Sequence, residues 1–320
     1  VLGALAGAVL DAPRAQAHVP PRHGSPASRP SPVVRSTARA TVRWDARGDA
    51  TAVVQDTLAG RSRKLRARFL APVDGSVTFP FLRRLFGDSL ARPGVHQVDV
   101  AGEATAERRP FAFITLVPFS EKIAGRIGRY RVGFWPGERG RPLGGKYANP
   151  RGFIEVTRDN AHVHVSEHFR LRDFLTHDQV RVWPKYLVLD EALVDKLELM
   201  IDDLRGRGYD VRRLHVMSGF RTPQYNERGG DPRGRADLSR HQYGDAADVW
   251  VENGHGRMAD LNGDGRVDTK DAAILAEAAE RVERAHPELV GGVGIYRATS
   301  AHGPFVHIDT RGRRARWGHG

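Results

Sequence analysis

The spacing of apolar residues changes about halfway along the chain. Over residues 40–166, apolar residues occur in short runs such as ATVRW, GSVTFPF and PFAFITLVPF, which glycine, proline and aspartate separate. This pattern is typical of short strands joined by turns. From residue 167 onward, strand-like runs alternate with segments of helical spacing. The pattern predicts an α+β protein. Residues 40–166 would form one or more β-rich accessory domains, of which the part up to about Phe119 would be a small β-sandwich, and residues 167–320 would form a second domain.

The second domain contains predicted helices and predicted strands in alternation. The first helix follows Asp190, whose side chain is suited to cap it, and its apolar residues recur at helical spacing (Leu193, Leu197, Met200, Ile201 and Leu204). An alanine-rich segment predicts a second helix over residues 271–286. The runs RLHVMSGF, GGVGIYR and PFVHIDT predict buried strands, and SRHQYGDAADVWV predicts a loop that enters a further strand.

The first 39 residues lack the pattern of a folded domain. Residues 1–10 are small and apolar, and Ala15-Gln16-Ala17 matches the A-x-A rule for signal-peptide cleavage. We interpret residues 1–17 as a truncated signal peptide; the alternative is a frayed apolar tail. Residues 18–39 are rich in proline, serine and arginine and predict a disordered linker. Export would place the protein in the periplasm of a bacterium or outside the cell.

Composition and charge exclude several classes of protein. The chain has 320 residues and no cysteine, which excludes a disulfide scaffold, a Cys-ligated zinc finger, an Fe–S protein and a cysteine nucleophile. Its 50 basic residues exceed its 38 acidic ones and give a net charge of +12, which favours polyanionic surroundings such as nucleic acid, an anionic membrane surface or an anionic cell wall. No nucleic-acid-binding motif is present, and export argues against that partner. No stretch approaches the ~20 apolar residues of a membrane span.

Two histidines and an aspartate of the second domain form a candidate zinc set. His241 and Asp248 lie in the run SRHQYGDAAD, and His307 lies in the last predicted strand. Two imidazoles and one carboxylate leave the fourth position of a tetrahedral zinc ion for water, whose pKa falls to ~7 on such a metal. Gly244 permits the bend that brings His241 to the same side as Asp248.

Three motifs around these residues resemble those of the zinc D-Ala-D-Ala carboxypeptidases and their hedgehog-like relatives. S-x-H-x-x-G-x-A-x-D spans residues 239–248, V-H-x-D spans residues 306–309, and the family's S-G-[YF]-R-[ST]-P turn matches residues 218–223. The resemblance covers residues 169–317. It implies a zinc peptidase domain with a small antiparallel sheet and flanking helices.

The resemblance also implies a reaction and a set of roles. The substrate would be a peptidoglycan stem peptide or cross-link, and the reaction would be amide hydrolysis at zinc. By position, the family assigns the zinc ligands to His241, Asp248 and His307. Arg221 would hold or polarise the substrate, and Ser239 would contact it. The alternative role for Arg221 is a structural one, tying its turn down.

The general base departs from the commoner pattern of that family. Many members have glutamate three residues before the last ligand and others have histidine two before it, whereas this chain has Pro304 and Phe305 there. Asp309 shares a strand face with His307, so it is a candidate either for the base or for a group that orients this ligand. His302, on the preceding loop, is the second candidate base.

Two non-catalytic alternatives stay open alongside the peptidase prediction. If neither candidate base acts, the chain would be a zinc-containing protein that binds the cell wall without cutting it. If instead the N-terminal β region carries the function, the chain would be a calcium-dependent adhesion or interaction protein. Neither alternative changes the predicted ligands of zinc.

Residues 260–271 match the twelve-residue calcium loop of EF-hands. Arg266 would offer its backbone carbonyl at position 7, and Gly265 permits the sharp turn at position 6. A single loop of this kind, which resembles those of dockerins, predicts a structural calcium ion beside the zinc site. The side-chain donors at positions 1, 3, 5, 9 and 12 would be Asp260, Asn262, Asp264, Asp268 and Asp271.

Four arginines follow the last predicted strand. Runs of like charge are usually solvated. We therefore expect an exposed basic tail, which is also a candidate contact for an anionic wall polymer. The residues are Arg311, Arg313, Arg314 and Arg316.

Overall fold

The fold is described here from a computed structural model of the chain. The predicted signal peptide and most of the predicted linker lie outside the residues that it describes. Its mixture of helices and strands agrees with the α+β prediction. None of the helices in the described part of the chain is both long and apolar enough to cross a membrane. The described residues are 60–70, 92–102, 108–229, 235–254 and 256–318, together with the short segments 33–36, 43–44 and 50–51.

The N-terminal strands form one mixed sheet. They are β1 (Val33–Ser36), β2 (Arg43–Trp44), β3 (Ala50–Thr51), β4 (Ala67–Leu70), β5 (Gly94–Gly102) and β6 (Arg108–Thr115), in the spatial order β2-β3-β1-β5-β6-β4. β5 and β6 are antiparallel, whereas β1 runs parallel to β3 and β5, and β4 runs parallel to β6. The predicted sandwich of two facing sheets is not confirmed, because the described strands before residue 116 all belong to this sheet.

Strand β1 lies inside the segment predicted to be a disordered linker. Its residues pair with the end of β5, where Val33 is opposite Asp99 and Val34 is opposite Val100. Two consecutive β-branched residues favour a strand at this point. The linker prediction therefore does not hold for residues 33–36, and the rest of the predicted linker lies outside the described residues.

The central part of the chain forms a small antiparallel sheet and a separate hairpin. The sheet contains β7 (Val117–Pro118), β10 (Gly152–Val156) and β11 (Lys185–Leu187), and the hairpin contains β8 (Arg126–Ile127) and β9 (Tyr130–Arg131). β10 pairs with β11 across the predicted domain boundary at residue 166. One hydrophobic core also extends from Leu65 to Ile308. Residue 166 is therefore not a break in the described structure.

The sheet that carries the candidate site has five strands. They are β12 (Arg213–Ser218), β13 (Ala246–Glu252), β14 (Gly292–Tyr296), β15 (Phe305–Asp309) and β16 (Ala315–Trp317), in the order β12-β13-β15-β14-β16. The first four are antiparallel neighbours, and β16 is parallel to β14. All four strands predicted in this half are therefore confirmed, and β16 adds a parallel edge that was not expected.

Three α-helices accompany this sheet, namely α1 (Glu191–Gly206), α2 (Pro223–Arg228) and α3 (Thr269–Ala285). The predicted cap of α1 is confirmed, because the Asp190 carboxylate accepts a hydrogen bond from the Ala192 N–H at 2.9 Å. α3 begins two residues earlier than predicted, since Asp268 caps it and accepts from the Lys270 N–H at 2.7 Å. Short 3₁₀ helices occupy Phe119–Glu121, Pro136–Glu138, Gly145–Tyr147, Leu171–Phe174, Arg240–Tyr243 and Pro287–Leu289.

A buried ionic network joins the two long helices to β15. Lys196 of α1 is fully buried, and its Nζ donates to Glu283 Oε1 of α3 at 2.7 Å and to the backbone oxygen of Asp309 at 2.8 Å. Glu283 also accepts from the Gly291 N–H and pairs with Arg316. Burial lowers the pKa of Lys196, and the adjacent Glu283 carboxylate opposes that shift. The network therefore holds the end of β15 in place through the backbone oxygen of Asp309.

Removing the ammonium from this network should destabilise the fold. We expect Lys196→Ala to cost about 3–5 kcal/mol of unfolding free energy, because it leaves buried acceptors without their partner. Chemical denaturation measures this loss. Lys146→Ala is a matched control, since its Nζ pairs with Asp190 at 3.2 Å at the surface, where such pairs contribute about 0–1 kcal/mol. Equal losses in both variants would contradict the network.

Candidate metal centre

The backbone brings the three predicted ligands together in two ways. Asp248 and His307 are direct neighbours in the register of β13 and β15. His241 comes from the 3₁₀ helix before β13, and the chain then bends at Gly244, which has a φ of +71°. A Cβ at this glycine would lie 2.3 Å from the Val188 carbonyl oxygen, so the bend and the close approach both require glycine. The bend expected from the sequence is confirmed.

The ligand atoms of the three side chains face one another. His307 Nδ1 lies 3.0 Å from Asp248 Oδ1, and His241 Nε2 lies 3.2 Å from His307 Nδ1 and 3.3 Å from Asp248 Oδ1. Ligands of a tetrahedral zinc ion at about 2.0–2.2 Å stand roughly 3.3–3.6 Å apart, close to these separations. Among the described residues, this is the one group of three or more His, Cys, Asp or Glu side chains arranged to hold a metal ion.

Hydrogen bonds on the far sides of both imidazoles fix which nitrogen faces the centre. His241 Nδ1 lies 2.7 Å from the Gly219 carbonyl oxygen, which can only accept, so Nδ1 carries the proton and Nε2 presents a lone pair. His307 Nε2 lies 3.1 Å from Asp309 Oδ2, so its Nδ1 is the nitrogen that faces Asp248. This outer arrangement is typical of metal-binding histidines and fits the donor set to a zinc ion.

The charges of the three groups suit a cation. Burial lowers the pKa of His241 to about 4, so this imidazole is neutral at pH 7. Burial opposes ionisation of Asp248, but the neighbouring His241 and hydrogen bonds from both histidines outweigh it and hold the pKa well below its usual value. His307 is also buried, yet hydrogen bonds to Asp248 and Asp309 raise its pKa. A metal ion needs the neutral form of His307 as its ligand, so its binding competes with the proton that these hydrogen bonds favour.

Asp309 is saturated with hydrogen bonds. Its Oδ1 accepts from the Gly292 N–H at 2.7 Å and from the Arg311 N–H at 3.0 Å, and its Oδ2 lies beside His307 Nε2. The Arg311 guanidinium also donates to both oxygens. The side chain is completely buried. These contacts suit the orienting role that the sequence left open for Asp309, and they leave no free lone pair for a substrate proton.

The side chains of Asp309 and Arg311 have room only because glycine occupies positions 291 and 292, at the start of the neighbouring strand β14. A Cβ at Gly291 would lie 1.9 Å from the Asp309 carbonyl oxygen, and a Cβ at Gly292 would lie 2.3 Å from Asp309 Oδ2. The Trp317 ring then covers the assembly, with its centroid 5.2 Å from that of His307. The sequence pattern of the GGVG run predicts only a strand, although its glycines are the sign of this close approach.

The predicted basic tail is tied into ion pairs. Besides the Arg311 bonds to Asp309, Arg314 and Arg316 both pair with Glu280 of α3. The expectation of an exposed tail is therefore wrong for Arg311 and Arg316, which acidic residues of β15 and α3 partly cover, whereas Arg313 and Arg314 are exposed as expected. The sequence pattern also does not predict that Arg311 belongs to the candidate metal centre, because its contact with Asp309 appears only in the structure.

Arg221 contacts a predicted ligand. Its Nη2 donates to Asp248 Oδ2 at 2.5 Å, and its Nε donates to the Ser218 hydroxyl at 2.8 Å. The first bond turns Oδ1 of Asp248 toward the histidines. Arg221 Nη1 takes no part in these contacts, so the orienting role and a substrate contact can coexist. Ser239 precedes the 3₁₀ helix of His241, and its hydroxyl does not cap that helix.

His302 lies on the ligand side of the sheet. Its ring packs edge-on against Phe305, with centroids 4.9 Å apart, and Phe305 precedes His307 by two residues on the same strand face. Tyr296 stacks on the same phenyl ring at 4.6 Å. His302 Nδ1 lies 2.9 Å from the Gly303 carbonyl oxygen, which leaves Nε2 outside that contact. His302 therefore stays a candidate base, whereas the contacts of Asp309 argue against that role.

The predicted calcium loop is held by hydrogen bonds of its own. Asp260 accepts from two backbone N–H groups of the loop, Asn262 Oδ1 accepts from the Asp264 N–H, and Asp264 Oδ1 accepts from the Arg266 N–H. Asp271 is buried and accepts from three backbone N–H groups, including that of Asp268 at the start of α3. Calcium binding by this loop stays a prediction.

Replacing Asp309 by asparagine tests its role. Asp309→Asn removes the charge that positions the Nε2–H of His307, so we expect zinc affinity to fall roughly 10–100-fold. Competition with a chromophoric chelator measures that affinity. His302→Ala is the control and should bind zinc as the wild type does. Unchanged zinc affinity in Asp309→Asn, together with lost hydrolysis, would restore Asp309 as the base.

Comparisons with known proteins do not extend this picture. A scan against protein-family models found no match, and searches of curated proteins and of solved structures found none either. The functional conclusion therefore depends on the chemistry of the converged side chains and on the three motifs that surround them.

Proposed function

We propose that the chain is an exported zinc-dependent peptidase that hydrolyses amide bonds in peptidoglycan stem peptides or cross-links. The main support is the convergence of His241 Nε2, Asp248 Oδ1 and His307 Nδ1 within hydrogen-bond distance of one another. Two neutral nitrogen donors and one carboxylate are the donor set of a catalytic zinc site. The peptidoglycan substrate and the export are inferred from the motif resemblance and from the signal-like residues 1–17.

The residues around the ligands each have a task in this proposal. A zinc ion held there supplies Lewis acidity and an activated water. Arg221 keeps Asp248 oriented through Nη2, and we assign to its Nη1 the role of donating to a substrate carbonyl or carboxylate. Ser239 is the second proposed substrate contact. His302 is the proposed proton acceptor, because its ring lies on the same side of the sheet and Asp309 has no free lone pair.

The alternative is a protein that holds zinc without catalysis and binds the cell wall. One observation favours it, namely the burial of all three ligand side chains: 2% of His241, 4% of Asp248 and 7% of His307 is exposed. Structural zinc sites are enclosed by the protein, whereas a catalytic site needs access for substrate. The two proposals share their ligands and differ only in turnover.

Digestion of purified peptidoglycan separates the two proposals. The zinc-loaded chain should release peptide products, and a chelator should abolish this activity. His307→Ala should lose both zinc and activity, because it removes a ligand. His302→Ala should keep zinc and lose about 10²–10⁴-fold in rate, which is the usual contribution of a positioned base.

The digestion products identify the bond that is cut, and the absence of products would also distinguish the two proposals. Mass spectrometry of the products identifies which amide bond is cut and so distinguishes a carboxypeptidase from an endopeptidase. Zinc-loaded wild type that releases no product from any muropeptide would contradict the peptidase proposal and leave the non-catalytic one. Full zinc retention in His307→Ala would contradict both.

A structural calcium ion in the loop of residues 260–271 is a second part of the proposal. The supporting observation is the regular folding of three side chains over the loop backbone at positions 1, 3 and 5. Each of these side-chain oxygens accepts one hydrogen bond within the loop and keeps a further lone pair, so together with the Arg266 carbonyl they supply the oxygen donors that a hard cation such as calcium prefers. The loop leads directly into α3, so a bound ion would stabilise the start of that helix.

Calcium should raise the melting temperature of the wild type, because a ligand that binds only the folded state stabilises it. Asp260→Ala combined with Asp264→Ala should abolish this rise and leave the zinc content unchanged. Asp210→Ala, at an exposed aspartate of another loop, should keep it. The calcium proposal fails if the melting temperature of the wild type does not respond to calcium.

A further inference from the structure

The hairpin of β8 and β9 presents unpaired arginines on its outer face. Arg126 is opposite Arg131, and Ile127 is opposite Tyr130. Ile127 and Tyr130 are buried, so both arginine side chains point outward, where they are exposed. Like charges directly opposite each other on neighbouring strands destabilise a hairpin. Arg131 lies in the field of Asp178, but neither arginine forms an ion pair within the described residues.

An exposed isoleucine extends this row of cations. The backbone of Ile123 pairs with that of Arg126 through two hydrogen bonds of 2.9 Å, so their side chains share one face. Ile123 is 74% exposed. The ring of Phe134, 40% exposed, lies against Gly125 in the turn that joins these two residues. Apolar and cationic side chains therefore alternate across the hairpin.

A third exposed apolar residue is fixed beside the hairpin. Gln179 binds the edge of β9 through its side chain, which accepts from the Arg131 N–H at 2.8 Å and donates to the Arg131 carbonyl oxygen at 2.9 Å. The next residue, Val180, is 74% exposed. The hairpin and its neighbour thus hold three of the five large hydrophobic side chains that are exposed in the described part of the chain.

The local charge is strongly positive. Residues 121–141 contain six lysines and arginines and two glutamates. Two of the six cations are paired, Lys122 with Glu138 and Arg139 with Glu227, whereas Arg126, Arg129 and Arg131 of the hairpin form no ion pair within the described residues. Three of the four C-terminal arginines, in contrast, pair with acidic residues.

We propose that this surface docks on an anionic lipid bilayer. Guanidinium groups attract anionic headgroups, and apolar side chains between them enter the boundary between headgroups and acyl chains, about 5–10 Å deep. A soluble polyanion would need the arginines alone and would leave the apolar side chains in water. The three exposed apolar residues therefore favour a bilayer over a wall polymer. The surface, here called the basic–apolar face, consists of Ile123, Arg126, Arg129, Arg131, Phe134 and Val180.

Sedimentation of the zinc-loaded full chain with lipid vesicles tests this proposal. The chain should bind vesicles of phosphatidylcholine with phosphatidylglycerol and not vesicles of phosphatidylcholine alone. Arg126→Gln with Arg131→Gln should weaken binding about 30-fold, since each basic side chain near an anionic surface contributes about 1 kcal/mol. Ile123→Ser with Val180→Ser should weaken it by about tenfold or more.

The controls distinguish docking through the basic–apolar face from a general effect of net charge and from misfolding of the variants. Arg297→Gln with Arg313→Gln removes the same charge from two exposed arginines of other loops and should bind like the wild type. Zinc content should be unchanged in all three double variants, because none of these residues contacts a ligand of the metal centre, and the melting temperature should not fall in any of them.

Two outcomes would overturn the proposal. One is the absence of binding to the anionic vesicles, or binding that the Arg126 and Arg131 variant weakens no more than the control variant does. The other is vesicle binding that survives Ile123→Ser with Val180→Ser and is competed away by soluble polyphosphate. That result would assign the face to a polyanion such as a wall polymer.

Discussion

The carboxylate of Asp309 is the point at which the fold and the metal centre are joined. Its side chain holds the imidazole of His307, and its backbone oxygen accepts from the buried Lys196 ammonium. Arg311 donates to both carboxylate oxygens and compensates their charge. A buried carboxylate is tolerable only when such partners surround it. The position of one ligand nitrogen therefore depends on the packing of α1, α3 and β14.

This dependence explains why glycine and arginine recur around β14 and β16. Gly291 and Gly292 leave room for the Asp309 side chain, and Arg316 ties Glu283 to the backbone of the same turn. Side chains larger than hydrogen would push β14 away from β15 and rotate the imidazole. The same interactions that stabilise the domain thus set the tautomer that a metal ion requires.

The ligands could be predicted from the sequence because their arrangement depends on local rules. Strand alternation and a single glycine bend suffice to place Asp248 and His241 on one side. The role of Arg311 could not be predicted, because an arginine after a strand is usually solvated and only the approach of β14 shows otherwise. Likewise, the valines at 33 and 34 favour a strand only because β5 is available to pair with them. The mixed order of the N-terminal sheet depends on such long-range pairing and has no local signal.

The net charge of +12 does not show which cations can attract an external anion, because that depends on whether each one is paired with a carboxylate of the protein. Buried or half-buried carboxylates neutralise the charges of Lys196, Arg311 and Arg316, so these charges do not attract an external anion. The arginines of the β8–β9 hairpin differ, because they oppose one another across the strands, form no ion pair within the described residues and lie beside exposed apolar side chains. Repulsion between them is a cost in the isolated chain that an anionic surface would relieve. The distribution of charge, and not its sum, is therefore what supports the proposed docking of this hairpin on an anionic surface.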